Sequence, residues 1–189
     1  MKILITGVHG FVGSNLVEYL KAENEIYGLD IVSPEKTGVV KTFSWDDLDA
    51  GLLPAIDAII HLAGKAHDTK NKSAAEVYFK VNTGLTQKIF DYFLSSGASK
   101  FVFFSTAKAA ADRVEGVLTE DVVPTPVGPY GESKIKAEEY VLGKELPTTG
   151  KQVYIFRPCM IHGPGNKGNL NLLYSVVPSR GYKEAILFP

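Results

Sequence analysis

Cysteine is almost missing from this sequence. Cys159 stands alone among 189 residues, so no intrachain disulfide can staple the fold, and a reducing compartment fits that usage. Long apolar runs are missing too. Nothing approaches the ~20 consecutive apolar residues of a membrane-crossing helix. Met1-Lys2-Ile3-Leu4-Ile5-Thr6-Gly7 runs straight into a strand pattern with no room for a signal peptide. The expectation is a soluble, cytoplasmic protein with no membrane partner. Excess charge of either sign is also absent, with 21 acidic residues against 20 basic ones. That balance gives no electrostatic footprint for nucleic acid. His9, His61, His67 and His162 are scattered without metal-ligand spacing, so no metal is expected and each reads as structural. Cys159 has no paired histidine signature and does not read as a nucleophile.

What is present is an ordinary globular composition, 45% apolar and 22% charged, enough for one domain with a sizeable core. Short β-branched runs alternate with helical periodicity. Strands are expected over 3–6, 25–29, 39–43, 55–62, 100–105 and 152–156, and helices over 11–22, 74–95 and 130–142. In the long middle helix Val77, Val81, Leu85, Ile89 and Phe93 recur as one apolar face, and Gly97 stops it. Phe101-Val102-Phe103-Phe104 is apolar throughout, as a strand covered on both faces should be. Alternating strands and helices imply right-handed crossovers, hence an α/β fold: a Rossmann-type doubly wound parallel sheet with helices on both faces.

The first strand meets the first helix through Thr6-Gly7-Val8-His9-Gly10-Phe11-Val12-Gly13. Glycines at 7, 10 and 13 are not the G-x-G-x-x-G spacing, but they stand between a strand and a helix, and Asp30 ends the next strand. Gly7 permits the tight turn, Gly10 lets the backbone approach a pyrophosphate, and Gly13 allows close packing. The helix N-terminus then offers N–H groups and the positive end of its dipole to the phosphates. The alternative is a turn whose glycines serve backbone shape alone. Asp30 would accept hydrogen bonds from the adenosine ribose and repel a 2′-phosphate, and the next basic residue is Lys36, so NAD is favoured over NADP. Asp30 could also be a plain polar strand end. Asp46 and Asp47 are equally an adenine contact or a solvated loop.

Pro129-Tyr130-Gly131-Glu132-Ser133-Lys134 puts Tyr130 and Lys134 on one helical face. A free phenol with pKa near 10 is a poor base. The Lys134 ammonium and a positive nicotinamide ring would favour the phenolate; a shift of ~3 units needs about 4 kcal/mol. The fifth strand ends in Ser105-Thr106, whose hydroxyls fall at the carboxyl edge of a parallel sheet, where ligands bind. An ordinary surface pair and a strand-end cap are the bland readings of the same residues.

Together these pieces resemble the extended short-chain dehydrogenase/reductases, the group of NAD-dependent nucleotide-sugar epimerases and dehydratases. The resemblance rests on Thr6-Gly7-x-x-Gly10-x-x-Gly13, Asp30, His61-Leu62-Ala63-Gly64, Val81-Asn82-x-Gly84, Phe101–Thr106, Tyr130-x-x-x-Lys134 and Arg157-Pro158-Cys159-Met160-Ile161-His162-Gly163-Pro164-Gly165. Within the family, the segments after Ser105 and Gly163 look most like UDP-sugar 4-epimerases and reductases of UDP-4-keto sugars. The resemblance implies Phe11 and Val12 over the pyrophosphate, Leu62, Ala63, Gly64 and Lys65 along the cofactor, and Asn82 fixing the cofactor loop. It implies Thr106 as the catalytic hydroxyl, Tyr130 as the acid/base, Lys134 on the nicotinamide ribose, and Cys159 touching the nicotinamide through its backbone. Asn169 and Leu170 fall at the substrate nucleotide. Helices matching 74–95 and 130–142 pair across a two-fold axis in the family, so a homodimer is implied.

Two departures stand out. Ala109-Ala110-Ala111 replaces the Tyr-Gly often found after the catalytic hydroxyl. Family members also run well past Gly163-Pro164 into a substrate-binding lobe, whereas this chain stops at Pro189. The expected division is a NAD-binding domain over 1–165 and the start of a truncated substrate lobe over 166–189, most of that lobe being absent. Three readings stay open: a 4-epimerase working through a 4-keto intermediate, a reductase of a UDP-4-keto sugar, and a non-catalytic dinucleotide-binding or inactive truncated domain.

Overall fold

The computed structural model describes residues 1–65, 74–146 and 150–166. Six strands form one parallel sheet: β1 (Lys2–Thr6), β2 (Glu25–Leu29), β3 (Lys41–Phe43), β4 (Ala58–His61), β5 (Lys100–Phe104) and β6 (Gln152–Phe156). Their order across the sheet is β3-β2-β1-β4-β5-β6, so the winding reverses between β1 and β4. That order is the doubly wound arrangement, and its reversal point is where such sheets open a crevice at the strands' carboxyl ends. Met1–Cys159 makes one compact unit and Met160–Pro189 a second. Within the second, Asn166 donates its backbone N–H to the Gly163 carbonyl at 3.1 Å, closing a tight turn.

Successive residues of β1 face opposite ways, and both faces are covered. Ile3 and Ile5 pack with Val8, Val17, Ile26 and Ala58 beneath α1 (Phe11–Leu20). Leu4 points the other way, into a larger core with Ile59, Phe101 and Phe103. Ile89, Phe90 and Phe93 of α4 (Leu85–Ser95) and Ala137 and Val141 of α6 (Gly128–Leu142) close that core. Phe90 meets Phe101 edge-on at 5.0 Å between ring centroids, a geometry worth about 0.5–1.5 kcal/mol beyond the area it buries. In β5, Phe101 and Phe103 are fully buried in this core, while Val102 and Phe104 on the opposite face are half-buried.

Four elements depart from the sequence reading, and one is β4, which runs over Ala58–His61 only, half of the expected 55–62. The helix expected over 74–95 is broken: α3 (Ala75–Tyr78) leads into a π-helical turn, Phe79–Gly84, and only then into α4. The wider turn rotates α4 relative to α3, so the expected single stripe is not one face. Ile89 and Phe93 are fully buried, while Val77 is 41% exposed. β3 shortens to three residues, Lys41–Phe43, with the Val40 N–H binding the Ile26 carbonyl at 2.8 Å just before it. The residues after it are a short helix, α2 (Trp45–Asp49). Ser44 and Asp47 close its N-terminus reciprocally as a capping box. Asp47 is therefore a helix cap, and the solvated-loop reading does not hold for it. The remaining helix, α5 (Ala107–Ala110), follows β5 directly. No helix among the described residues is long and apolar enough to cross a membrane.

Candidate functional site

Because every strand runs the same way, Gly7, Asp30, Leu62, Thr106 and Cys159 all emerge at one edge of the sheet. At its centre the glycine-rich turn is built as a cradle. Gly7 has φ of 69°, a left-handed conformation that side chains resist, and its N–H binds the Leu29 carbonyl at 2.9 Å. A Cβ on Gly13 would lie 2.4 Å from the Gly7 carbonyl oxygen and 2.8 Å from Val8 Cα. Only glycine fits, and the contact is with the turn itself. Gly10 is less crowded: its Cβ would meet the Gly7 oxygen at 3.1 Å. Gly10 is also the N-cap of α1, which has no side-chain cap and no acidic residue in its first turn. The helix dipole and the amides of Phe11, Val12 and Gly13 thus face the crevice without a built-in carboxylate, as a phosphate cradle requires.

Asp30 leans into this turn. Its carboxylate accepts the His9 N–H at 3.0 Å and the Ile31 N–H at 2.7 Å. Each carboxylate oxygen retains a second lone pair, so hydroxyls of a ribose can still donate to it. Lys36, the first basic residue after Asp30, places its ammonium 2.8 Å from Ser14 Oγ on α1.

On the other side of the reversal point, Asn82 organises the loop after β4. Its Oδ1 accepts the Lys65 N–H at 2.7 Å, and its Nδ2 donates to the Lys65 carbonyl at 3.2 Å and to Ser133 Oγ at 3.0 Å. One fully buried amide thus joins the loop carrying Leu62, Ala63, Gly64 and Lys65 to the helix carrying Tyr130 and Lys134. The π-helical turn is what presents it. Thr86 Oγ1 donates to the Asn82 carbonyl at 2.6 Å. The same Thr86 hydroxyl lies 2.9 Å from His61 Nε2, and His61 Nδ1 lies 2.7 Å from Thr6 Oγ1. Thr6 Oγ1 in turn accepts the N–H groups of Leu62 and Ala63, at 3.1 and 3.0 Å. Burial, with Lys134 nearby, pushes the His61 pKa down to about 3. It is a neutral, wired core histidine.

The reacting groups implied by the resemblance do come together. Thr106 is buried just past the end of β5, and its hydroxyl accepts the Lys108 N–H at 3.3 Å. Thr106 and Tyr130 line a cavity of about 410 Å³ with Lys108, Arg113 and Cys159. Gly131 makes this approach possible: a Cβ there would sit 2.5 Å from the Lys108 carbonyl oxygen, so α5 and α6 meet at glycine. Tyr78 packs edge-on against the Tyr130 ring at 6.2 Å.

The electrostatics correct one expectation. Helical spacing assigns to Lys134 the charge that lowers the Tyr130 pKa, and the structure places another lysine in that position. Burial is the largest effect on this phenol and raises its pKa; the Thr106 hydrogen bond and the positive charge of Lys108 pull the other way. Lys134 turns inward instead, its ammonium donating to the Phe104 carbonyl at 3.0 Å. Burial lowers the Lys134 pKa to about 8, against the supporting charge of Glu138.

Asn169 and Leu170 lie outside the described residues, as does His67. Sequence reasoning missed Lys108, Tyr78, Ser133 and the buried Glu138–Arg157 pair. A carboxylate one helical turn after Lys134 was the available signal for the last of these.

Comparison with known proteins points the same way. The family described as the NAD dependent epimerase/dehydratase family matches residues 3–180. The UDP-glucose 4-epimerase of Vibrio cholerae is 31% identical over 93% of this chain and 56% of its own length. The GDP-6-deoxy-D-mannose reductase of Pseudomonas aeruginosa is 28% identical over 88% of this chain and 54% of its own. Among solved structures, MoeE5 in complex with UDP-glucuronic acid and NAD superimposes with a TM-score of 0.80 at 25% identity, covering 92% of this chain and 60% of that one. The chain therefore spans little more than half the length of the curated relatives it matches.

Proposed function

The chain belongs to the NAD dependent epimerase/dehydratase family, and we propose that it is the NAD-binding, proton-transferring half of a nucleotide-sugar 4-epimerase acting through a 4-keto intermediate. The observation that carries this reading is the meeting of Thr106 and Tyr130 in the wall of one cavity at the carboxyl edge of the sheet. A protein that only held a dinucleotide would need no buried hydroxyl pair there.

The residues present fit NAD. The glycine cradle and the uncapped N-terminus of α1 suit the pyrophosphate. Asp30 suits an unphosphorylated adenosine ribose, and Lys134 the nicotinamide ribose. NAD, when bound, supplies the hydride acceptor and donor and a positively charged ring. Tyr130 does the proton work. With Thr106 as the bridging hydroxyl, it accepts the proton of the sugar's 4-hydroxyl as that carbon is oxidised, and returns it when the carbon is reduced on its other face. A phenol whose pKa is raised by burial holds its proton at neutral pH, which suits the returning step. The accepting step needs positive charge beside it, and Lys108 already provides some. Lys108 and Arg113 along the cavity suit a substrate carrying a diphosphate.

The likeness to a GDP-sugar reductase favours a second reading. There Tyr130 gives its proton once, to the oxygen of a 4-keto sugar. We further infer a UDP-linked substrate reaching toward Asn169 and Leu170, and a homodimer through the faces of α4 and α6.

Tyr130→Phe tests the chemistry, because it removes one oxygen and leaves the ring against Tyr78. General acid–base groups contribute about 10²–10⁴-fold in rate. Turnover of UDP-glucose or UDP-glucuronic acid should fall by at least the lower figure, with NAD affinity unchanged. Turnover near the unmodified rate would sink the mechanism.

A further inference from the structure

Glu138 is only 1% exposed, yet the proton chemistry above does not use it. It stands on α6 one turn beyond Lys134. Its Oε1 accepts a hydrogen bond from Ser105 Oγ. Arg157 Nε donates to Oε2 at 3.0 Å and to Oε1 at 3.2 Å, and Arg157 Nη2 donates to Oε2 at 2.6 Å. The charged groups facing this carboxylate are Arg157 from the end of β6 and Lys134 from its own helix. Glu120 acts in turn on Arg157. Neighbouring backbone bonds tie the same strand ends: the Ser105 N–H binds the Phe156 carbonyl at 2.7 Å, and the Ala107 N–H binds the Pro158 carbonyl at 3.0 Å.

A buried ion pair is weak evidence for stability, since desolvating two charges costs much of what their attraction returns. What this one does have is position. Ser105 precedes Thr106, Arg157 lies two residues before Cys159, and Lys134 and Tyr130 share the helix of Glu138. We propose that Glu138 is a positioning residue, which holds three chain segments in register so that Thr106, the Tyr130–Lys134 pair and Cys159 converge on the nicotinamide half of the bound dinucleotide. This rests on the NAD reading above.

ADP and NAD separate the two halves of the site. ADP reports the adenine and pyrophosphate half, formed by the glycine cradle and Asp30, while NAD adds the nicotinamide riboside. With Glu138→Gln, calorimetric titration should give an ADP affinity within about twofold of the unmodified protein. The advantage of NAD over ADP should shrink about tenfold, the scale of one lost charge-assisted hydrogen-bond set. Equal weakening of both ligands would show a merely structural role and overturn the proposal, as would an unchanged advantage. An unmodified protein that binds neither ligand would instead remove the NAD reading and this proposal with it. Should Glu138→Gln fail to fold, Ser105→Ala removes a single bond to the same carboxylate. It should lower the NAD advantage by about threefold with ADP affinity intact, and an unchanged advantage there would equally overturn the proposal.

Discussion

Lowering the pH from 7 to 4.5 tests the wiring of His61 quantitatively. Its folded pKa is pushed from the ordinary 6.5 down to about 3 by burial, because its two ring nitrogens face threonine hydroxyls rather than water. Between those values the unfolded chain binds a proton that the folded chain excludes, so stability falls as pH drops through about 6.5 toward about 3. One proton is worth about 1.36 kcal/mol per pH unit, which gives a loss of about 2.5 kcal/mol between pH 7 and 4.5 from this residue alone. Carboxylates titrate over part of the same window, so the clean quantity is a difference between two proteins. His61→Gln keeps an amide able to reach one of the threonines and has no proton to take up. At pH 7 it should be less stable by about 1–3 kcal/mol, the cost of a buried hydroxyl left short of a partner. As pH falls its deficit should shrink by about 2.5 kcal/mol, so that the two proteins converge near pH 4.5. Urea denaturation at pH 7, 5.5 and 4.5 reads this directly. Parallel stability lines would refute the reasoning, for they would mean that His61 titrates alike in both states.

Other outcomes rest on the same geometry. Gly13→Ala pushes a methyl into the backbone of Gly7 and Val8, and denaturation should show a loss of about 1–3 kcal/mol or more with NAD binding abolished. Gly10→Ala, which meets only one atom at 3.1 Å, should cost clearly less on both counts. Sedimentation at tens of micromolar should find a dimer, and Val77→Glu, a charge placed on an exposed apolar position of α3, in the helical stretch that leads into α4, should shift it toward monomer without unfolding it.

Much of this architecture is legible in the residues themselves. The alternation of β-branched runs with helical periods carries the sheet, and Phe101 to Phe104 announce an interior strand, though only the Phe101 and Phe103 face is fully buried. What periodicity could not show was the π-helical turn. Its residues, Phe79 to Gly84, keep a helical composition, and the bonds made there are not periodic: Thr86 reaches back to the Asn82 carbonyl within the helix, while Asn82 makes tertiary bonds to Lys65 and Ser133. The cradle was legible because glycines at 7, 10 and 13 have few other uses between a strand and a helix. Spacing alone overstates the pairing of Lys134 with Tyr130. It places two side chains on one face, but the rotamer and the nearest accepting carbonyl decide where a lysine's ammonium goes, and here that is Phe104. Lys108 stands just before the Ala109-Ala110-Ala111 departure, and only the fold brings it beside the phenol.

Isothermal titration of the 189-residue protein with NAD and NADP tests the cofactor selectivity proposed for Asp30. NAD should bind more tightly than NADP, since the Asp30 carboxylate accepts ribose hydroxyls and repels a 2′-phosphate. Asp30→Ala should narrow that gap, and because it also releases the His9 N–H bond it should weaken NAD more than it helps NADP. Equal affinity for the two cofactors in the unmodified protein, or no binding of either, would contradict the account.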